Sequence, residues 1–253
     1  MKVVILGYGN VGRYMTKAFT KAGVEVVQIF NRSKIKHASI PTTSKSEDIV
    51  KDAGLYLICV SDKAIKDVSH LLKNITSKSI VAHTAGSVSS EVLGDTHNRY
   101  GSFYPLQSIT HKIRLRPKDV PLLINGSSDK VARKLRKLAK RCFKTVSAMD
   151  DESKIKIHLP AVIVNNFTNH LYAKAYDYCQ AEGLEFDLLL PLISETTNRL
   201  NSKIHPKSQQ TGPAKRKDRE TIRRHISQLE SDADLKRLYN YLTKNISAYH
   251  EDN

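Results

Sequence analysis

The first half of the chain alternates short apolar runs with amphipathic segments. Runs rich in β-branched residues predict strands at residues 3–6, 24–30, 55–60, 79–83, 101–104, 120–124 and 145–147. Apolar residues at helical spacing between them predict helices at 10–22, 46–51, 62–73, 87–93 and 127–141. Such alternation is typical of a mostly parallel sheet with helices on both faces, so we expect a Rossmann-type α/β domain over residues 1–150.

The second half carries no strand pattern. After Met149, apolar residues recur at helical spacing and predict helices at about 151–181, 186–201, 218–230 and 232–249. Pro160 removes one backbone hydrogen bond inside the first of these, where we expect a kink or a restart of the helix. We therefore expect an all-α domain over residues 151–253.

The motif GYGNVG at residues 7–12 lies between the first predicted strand and the first predicted helix. In this context Gly7 permits a tight turn, Gly9 lets a pyrophosphate approach the backbone, and Gly12 lets the helix pack closely. Free N–H groups of Asn10 and Val11 at the helix start would bind the phosphates. We expect a dinucleotide site, with a turn that binds no ligand as the alternative.

The end of the second predicted strand selects the nucleotide. An NAD site usually has Asp or Glu about 20 residues beyond the glycines, where it binds the ribose 2′-OH. This chain has Asn31, Arg32 and Ser33 instead. Arg32 can pair with a 2′-phosphate, and Asn31 and Ser33 can donate hydrogen bonds to it. The residues favour NADP over NAD, although a solvated turn would have the same composition.

The charge of the chain favours anionic ligands. There are 41 Lys and Arg against 25 Asp and Glu, a net charge of +16, and residues 111–144 hold twelve of the basic side chains. Within 131–143, apolar residues recur at helical spacing, so these cations are better explained as the solvated face of a helix than as a nucleic-acid site. We expect no nucleic-acid partner.

Apolar runs and cysteines indicate the compartment. No run approaches the ~20 apolar residues that a membrane span requires, so we expect no membrane partner. Cys59, Cys142 and Cys179 are far apart and lack metal-ligand spacing, which predicts reduced thiols, no metal site and a cytoplasmic protein.

Several segments together resemble a known family. Beside GYGNVG they are NRS at 31–33, VSD at 60–62, HTAGS at 83–87, SFYPLQS at 102–108, IHLPAVIVNNFTNHLY at 157–172, PLISETTN at 191–198 and QTGPAKRKD at 210–218. They look like Rossmann-like proteins with a C-terminal helical domain of unknown function, distant relatives of pyrroline-5-carboxylate reductase and the deazaflavin-dependent NADP reductases. The resemblance implies an NADP-binding domain, a helical domain that closes the active site, and a homodimer.

A nicotinamide reductase needs a cleft, a group that polarises C=O or C=N, and a proton source. Ser61 and Gly86 follow predicted strands at the edge where α/β proteins bind ligands, so we expect them at the cofactor. The resemblance points to His158 as acid and Asn166 as donor. Ideal helical spacing groups His158 with Asn165 and Asn169 instead, and a structural role for the histidine and the asparagines stays open.

Three further residues are expected at the substrate. Tyr104 stands where the family often has a histidine before PLQ, Asn169 shares the helical face of His158, and Arg216 could anchor a carboxylate. We therefore expect an NADP(H)-dependent oxidoreductase acting on a small, anionic C=O or C=N compound. The alternative is an NADP-binding sensor or scaffold without turnover.

Overall fold

The structure of the protein, a computed structural model, describes residues 1–110 and 115–251, so the start of the basic segment at 111–144 lies outside the described residues. Within these ranges the strands form one eight-stranded sheet. They are β1 (Val3–Leu6), β2 (Val26–Phe30), β3 (Thr42–Thr43), β4 (Leu55–Ile58), β5 (Ile80–His83), β6 (Tyr100–Pro105), β7 (Leu122–Gly126) and β8 (Val146–Ala148).

The strand order is β3-β2-β1-β4-β5-β6-β7-β8. Neighbouring strands are parallel, except that β6 and β7 are antiparallel. The chain leaves β1 toward β2 on one side and returns to β4 on the other. This change of direction leaves a crevice at the carboxyl ends of β1 and β4, which is where open α/β sheets bind ligands.

Apolar residues cover both faces of the sheet. Val3 and Ile5 of β1 pack in one cluster with Met15 and Phe19, whereas Val4 belongs to a second cluster on the opposite face. Because successive side chains of a strand point to opposite faces, a strand buried on both sides is apolar throughout. The continuous apolar runs of the sequence follow from this burial.

Helices account for the rest of the regular structure. Those that accompany the sheet are α1 (Asn10–Lys21), α2 (Ile65–His70) and α3 (Asp129–Cys142). The later ones are α4 (Asp151–Ala161), a π-helical segment (Val162–Phe167), α5 (Thr168–Ala181), α6 (Leu190–Asn198), α7 (Pro206–Gln209), α8 (Pro213–Arg216), α9 (Arg219–Gln228) and α10 (Ala233–Tyr249). The expected fold class, a mostly parallel Rossmann-type sheet followed by helices, is confirmed.

The chain divides into two compact units, Met1–Phe167 and Thr168–Asn253, whereas the sequence predicts a boundary at residue 150. The helix α4 groups with the first unit because its polar side chains bond to the loop after β5. Asp151 accepts hydrogen bonds from Ser90, and Lys154 donates one to the carbonyl of Val88.

Two of the short helices predicted from the sequence are only 3-10 turns in the structure. The predicted helix at 46–51 is a single 3-10 turn, Ser46–Asp48, and the one at 87–93 is Ser90–Leu93. The sequence analysis missed β3, because a two-residue edge strand has no detectable alternation. In the described part of the chain, none of the helices combines the length and apolar character that a membrane crossing demands.

Candidate cofactor and active site

In the glycine turn after β1, a side chain would clash with the backbone at Gly7 and Gly12 but not at Gly9. Gly7 has a φ of 95°, and a Cβ there would lie 2.6 Å from the carbonyl oxygen of Cys59. A Cβ on Gly12 would overlap the carbonyl oxygen of Gly7, so the start of α1 packs directly on the turn. A Cβ on Gly9 would meet nothing within 4 Å. Gly9 therefore leaves free the space that a bound pyrophosphate requires.

The start of α1 has the electrostatics of an anion site. The first turn, which includes Asn10 and Val11, contains no acidic residue, and the N-cap Gly9 supplies no side-chain hydrogen bond. The backbone N–H groups at this end are therefore available to a ligand, and the helix dipole adds partial positive charge. This arrangement suits a diphosphate.

Asn31 orients the turn. Its Oδ1 accepts a hydrogen bond from the Tyr8 N–H at 3.0 Å, and its Nδ2 donates to the carbonyl of Ser33 at 2.9 Å. Arg32 and Ser33 are exposed, and among the described residues the Arg32 guanidinium has neither a hydrogen bond nor an ion pair. Arg32 is thus free to bind an anion, while Asn31 has a structural task that its position in the sequence did not reveal.

A cavity of about 420 Å³ lies at the carboxyl end of β2 and β3. Lys34, Lys36 and Lys45 contribute three cations to its wall, and Asp48 contributes a carboxylate that accepts a hydrogen bond from the Thr43 hydroxyl at 3.3 Å. The sequence analysis missed Lys45, because only the pairing of β3 with β2 brings it beside the segment that follows Asn31. These residues could hold a ribose phosphate together with Arg32.

Tyr104 and His158 form a hydrogen-bonded pair against Gly86. The Tyr104 Oη lies 3.1 Å from the His158 Nδ1, and the two rings meet edge to face at 6.0 Å. A Cβ on Gly86 would lie 2.6 Å from both His158 Nδ1 and Tyr104 Cζ, so only glycine permits this approach. Burial, and then the charge of Asp62, raises the pKa of Tyr104. Either atom can be the donor in this bond: a protonated Tyr104 can donate to Nδ1, and a protonated Nδ1 can donate to the Tyr104 oxygen.

The pair opens onto a cavity of about 550 Å³. Its polar wall includes Tyr104, Gln107, His158, Asn165 and Asn166, and its apolar wall includes Leu106, Ile157 and Val164. The structure therefore brings together three predicted residues, Tyr104, His158 and Asn166, in one cavity. A mostly apolar cleft with a few convergent polar groups is the usual form of a small-molecule site.

Pro160 explains how Asn166 reaches this cavity. In an ideal α-helix Asn166 would point about 80° away from His158. After Pro160 the helix widens into the π-helical segment Val162–Phe167, whose i to i+5 hydrogen bonds advance each residue by a smaller angle. The expected restart is thus a wider turn, and it brings Asn166 onto the wall that contains His158.

A buried ion pair fixes α4 one turn before His158. Lys154 is fully buried, lies 2.9 Å from the Asp151 Oδ1 and donates to the Val88 carbonyl at 2.6 Å. Burial alone would raise the pKa of Asp151, but hydrogen bonds from Lys154 and Ser90 outweigh it and lower the pKa to about 2. The sequence analysis missed this pair, because lysine is normally exposed and its burial has no sequence signal. The N-cap is Asp150, which accepts from the Ser153 N–H at 2.7 Å.

His83 at the end of β5 is buried in its neutral form. Its Nδ1 accepts a hydrogen bond from the Ala85 N–H at 3.1 Å. Burial, and then the nearby charge of Lys154, lowers the pKa of His83 to about 4. An unfolded histidine takes up a proton below pH ~6.5, so the unfolded state binds more protons between pH 6.5 and 4.

We expect His83 to make the protein acid-sensitive. Its contribution to the free energy of unfolding should fall by about 3 kcal/mol between pH 7 and pH 4. Urea unfolding at both pH values measures the loss, and His83→Gln should lose correspondingly less stability than the parent protein. Equal losses in the two proteins would show that other groups govern the acid sensitivity.

Ser61 and Asp62 lie at the start of the 3-10 turn that follows β4. Ser61 is the N-cap of the 3-10 turn Asp62–Ala64 but makes no side-chain cap bond. Asp62, the first residue of that turn, does not cap it, and its carboxylate accepts a hydrogen bond from the Ser87 hydroxyl. Asp62 thereby links the end of β4, one of the two strands at the crevice, to the loop after β5.

Asn169 and Arg216 belong to the second unit. Asn169 is an exposed residue of α5, and Arg216 is the exposed last residue of α8. Asp218 caps α9 by accepting a hydrogen bond from the Thr221 N–H at 3.0 Å. The expected contacts of Asn169 and Arg216 with substrate stay predictions.

Comparison with known proteins identifies two family matches. Residues 120–246 match a family described as a domain of unknown function, DUF2520. Residues 2–86 match the family described as NADP oxidoreductase, coenzyme F420-dependent. A comparison with curated proteins gives no match.

Solved structures share the fold over nearly the whole chain. BF3122 from Bacteroides fragilis, a proposed NADP oxidoreductase, is 31% identical, covers 98% of both chains and has a TM-score of 0.91. An imine reductase from Myxococcus stipitatus in complex with NADP⁺ is 13% identical, with 100% of this chain and 93% of that chain covered and a TM-score of 0.67. A Plasmodium falciparum pyrroline carboxylate reductase with NADP bound is 11% identical, with 99% and 98% covered and a TM-score of 0.65. The chain therefore belongs to the DUF2520 family, and in this chain that domain follows an NADP-binding Rossmann domain of the coenzyme F420-dependent NADP oxidoreductase type.

Proposed function

We propose that the protein is an NADP(H)-dependent oxidoreductase that transfers a hydride to or from a small, anionic C=O or C=N compound. The observation that carries the proposal is the cavity where the Tyr104 and His158 pair lies beside Gly86, at the carboxyl edge of the sheet. Gly86 follows β5, two strands from the glycine turn after β1. A cofactor bound along this edge would have its reactive end near the cavity.

Each group in the cavity has a chemical role in the proposal. When bound, reduced NADP supplies the hydride. As an imidazolium, His158 would donate its Nε2 proton to the product oxygen or nitrogen and become a neutral imidazole, while its Nδ1–H donates to the Tyr104 Oη and so holds the ring in place. The Asn166 amide would donate a hydrogen bond to the carbonyl or imine and polarise it. In the reverse direction His158 would accept the proton.

The substrate class rests on charge and on relatives of the same fold. The net charge of +16 favours an anion, and Arg216 remains the proposed carboxylate anchor. The neighbours include an imine reductase and a pyrroline carboxylate reductase, and this supports a C=N substrate. The cysteine pattern continues to favour a cytoplasmic location.

Turnover separates this proposal from an NADP-binding sensor or scaffold. We would measure NADPH consumption with small cyclic imines and ketones, each tested with and without a carboxylate. We expect turnover with at least one imine or ketone, and a higher kcat/KM for the carboxylate-bearing member of that pair. Tight NADPH binding without consumption in the whole panel would favour the sensor.

Arg32 is expected to select the phosphorylated nucleotide. NADPH should bind at least about tenfold more tightly than NADH, because a charge-assisted hydrogen bond to the 2′-phosphate contributes about 1.5 to 3 kcal/mol. Titration of Arg32→Ala should show a reduced preference and nearly unchanged NADH affinity. A preference that survives the substitution would transfer the role to the lysines of the neighbouring cavity, Lys34, Lys36 and Lys45.

We also propose that the protein is a homodimer. Within residues 168–251, the buried apolar side chains are those of Cys179, Ala214 and Leu229. Large apolar side chains are exposed in the same region at Leu171, Tyr176, Leu184, Leu188, Leu190, Leu192, Leu200, Ile204, Tyr241 and Tyr249. A helical layer needs a second layer to bury its apolar face, and a second copy can supply one through a self-complementary contact.

The dimer can be tested with matched substitutions. Light scattering should give about twice the 28.5 kDa of one chain. Leu188→Asp should shift the mass toward the monomer, because Leu188 is 74% exposed in the region without a core. Leu71→Asp, at a 42% exposed leucine of the first unit, should leave the mass unchanged. A monomeric parent protein would contradict the proposal.

A further inference from the structure

A cationic cavity of about 380 Å³ lies on the sheet face that α1 and α3 cover. Its wall contains five cations, Lys17, Lys21, Arg116, Lys118 and Arg141. Between them lie apolar groups, among them Ala18, Ala22 and Leu115. The cavity shares no residue with the glycine turn or with the cavity of Tyr104 and His158.

Most of this charge has no counterpart in the described part of the chain. Arg116 pairs with Asp119, the one acidic side chain seen to neutralise a cation of the wall. Arg141 donates through Nη2 to the carbonyls of Ala22 and Gly23 at 3.1 and 3.0 Å, which fixes its guanidinium without neutralising it. The three lysines of the wall make no described hydrogen bond or ion pair. The cavity therefore concentrates positive charge.

Tyr14 adds an independent sign of a ligand. It lines the same cavity, and its hydroxyl oxygen is buried with no hydrogen-bond partner among the described residues. Buried polar groups nearly always have a partner, because an unsatisfied one costs free energy. Burial, and then the charge of Asp119, raises the pKa of Tyr14 to about 12, so the hydroxyl is a donor at neutral pH.

We propose that this cavity binds a small phosphate monoester, with its phosphate among the lysines and Arg141 and its apolar body on Ala18 and Leu115. A phosphate monoester is a dianion, which matches several cations better than a single carboxylate charge does. The cavity is concave and holds one small molecule, whereas nucleic acid requires a groove along which a backbone can extend. The ligand class is thus an organic phosphate with a ring or short chain.

The test uses the full chain saturated with NADPH, so that the nucleotide site is occupied. Isothermal titration with phenyl phosphate should show one site per chain. Lys21→Ala should weaken binding at least about tenfold, and Tyr14→Phe should weaken it several-fold. Lys134→Ala removes the same charge from an exposed position of α3 outside the cavity wall, and it should leave the affinity within twofold.

Other probes determine the class of ligand. Inorganic phosphate should bind more weakly than phenyl phosphate, because it lacks the apolar body, and benzoate should bind more weakly still. Benzoate binding as tightly as phenyl phosphate would overturn the phosphate assignment. Failure of phenyl phosphate to bind, or equal losses in Lys21→Ala and Lys134→Ala, would overturn the site.

A single-stranded RNA oligonucleotide tests the remaining anion class. Tight binding of the RNA, weakened equally by Lys21→Ala and Lys134→Ala, would indicate a nucleic-acid surface and contradict the proposal. NADPH affinity should be the same in the parent protein and in Lys21→Ala. The outcome therefore does not depend on the proposed oxidoreductase activity.

Discussion

Gly9→Val is expected to abolish NADPH binding and to leave the protein folded. A Cβ on Gly9 enters open space, so the substitution creates no clash within the chain. The same space lies at the start of α1, where the pyrophosphate would approach the backbone N–H groups. Titration should show at least about a hundredfold loss of NADPH affinity, with the melting temperature nearly unchanged.

Gly12→Val is the matched control for this substitution. The added side chain would overlap the carbonyl oxygen of Gly7 and push α1 away from the turn, so this variant should lose thermal stability as well as nucleotide binding. The pair separates a ligand-facing glycine from a packing glycine. Normal NADPH binding by Gly9→Val would mean that the turn is structural, and the oxidoreductase proposal would lose its foundation.

Strands and long helices could be predicted because the positions of apolar residues in their sequences match the positions that are buried in the structure. The first strand, Val3–Leu6, has the predicted limits, and each of its side chains is fully buried. The helix Asp129–Cys142 also follows its prediction closely, since Val131, Leu135 and Leu138 form one buried stripe under a basic outer face. Periodicity is reliable where one face of an element is apolar and the other is solvated.

Only part of the candidate site could be predicted from the sequence. Individual residues could be named, but their arrangement around one cavity depends on the fold. His158 and Asn166 were expected from family resemblance, whereas their common wall depends on the π-helical segment after Pro160. Lys154 has no sequence signature of burial, since lysine is normally exposed. Only the fold shows that Asp151 and the carbonyl of Val88 surround its ammonium group.

Gly86 lies at the predicted strand end, and the structure gives it a packing role that the sequence did not indicate. The sequence placed it at the carboxyl end of a strand and assigned it to the cofactor. The structure adds that its missing side chain is what allows Tyr104 and His158 to approach that strand end. A backbone that accommodates both rings can still face a nucleotide, so the proposed cofactor contact of Gly86 is compatible with this packing.

His158→Ala is expected to lower kcat by about a hundredfold to ten-thousandfold, which is the usual contribution of a general acid. NADPH affinity should be almost unchanged, because His158 lines the substrate cavity and lies outside the glycine turn. Single-turnover oxidation of bound NADPH, with whichever imine or ketone supports turnover, measures the effect.

Tyr104→Phe removes only the hydrogen bond to His158 Nδ1. We expect it to lower kcat by less, about tenfold, and to shift the pH profile.

The matched control lies on the same helix. Lys156 is exposed and forms an ion pair with Glu152, so Lys156→Ala changes α4 without touching the cavity and should leave kcat within twofold. A fall in kcat for Lys156→Ala equal to that for His158→Ala would indicate a general disturbance of the helix. Unchanged kcat in His158→Ala would mean that water or another group donates the proton, and Tyr104 would then be the next candidate, because its hydroxyl lines the same cavity and retains its proton at neutral pH.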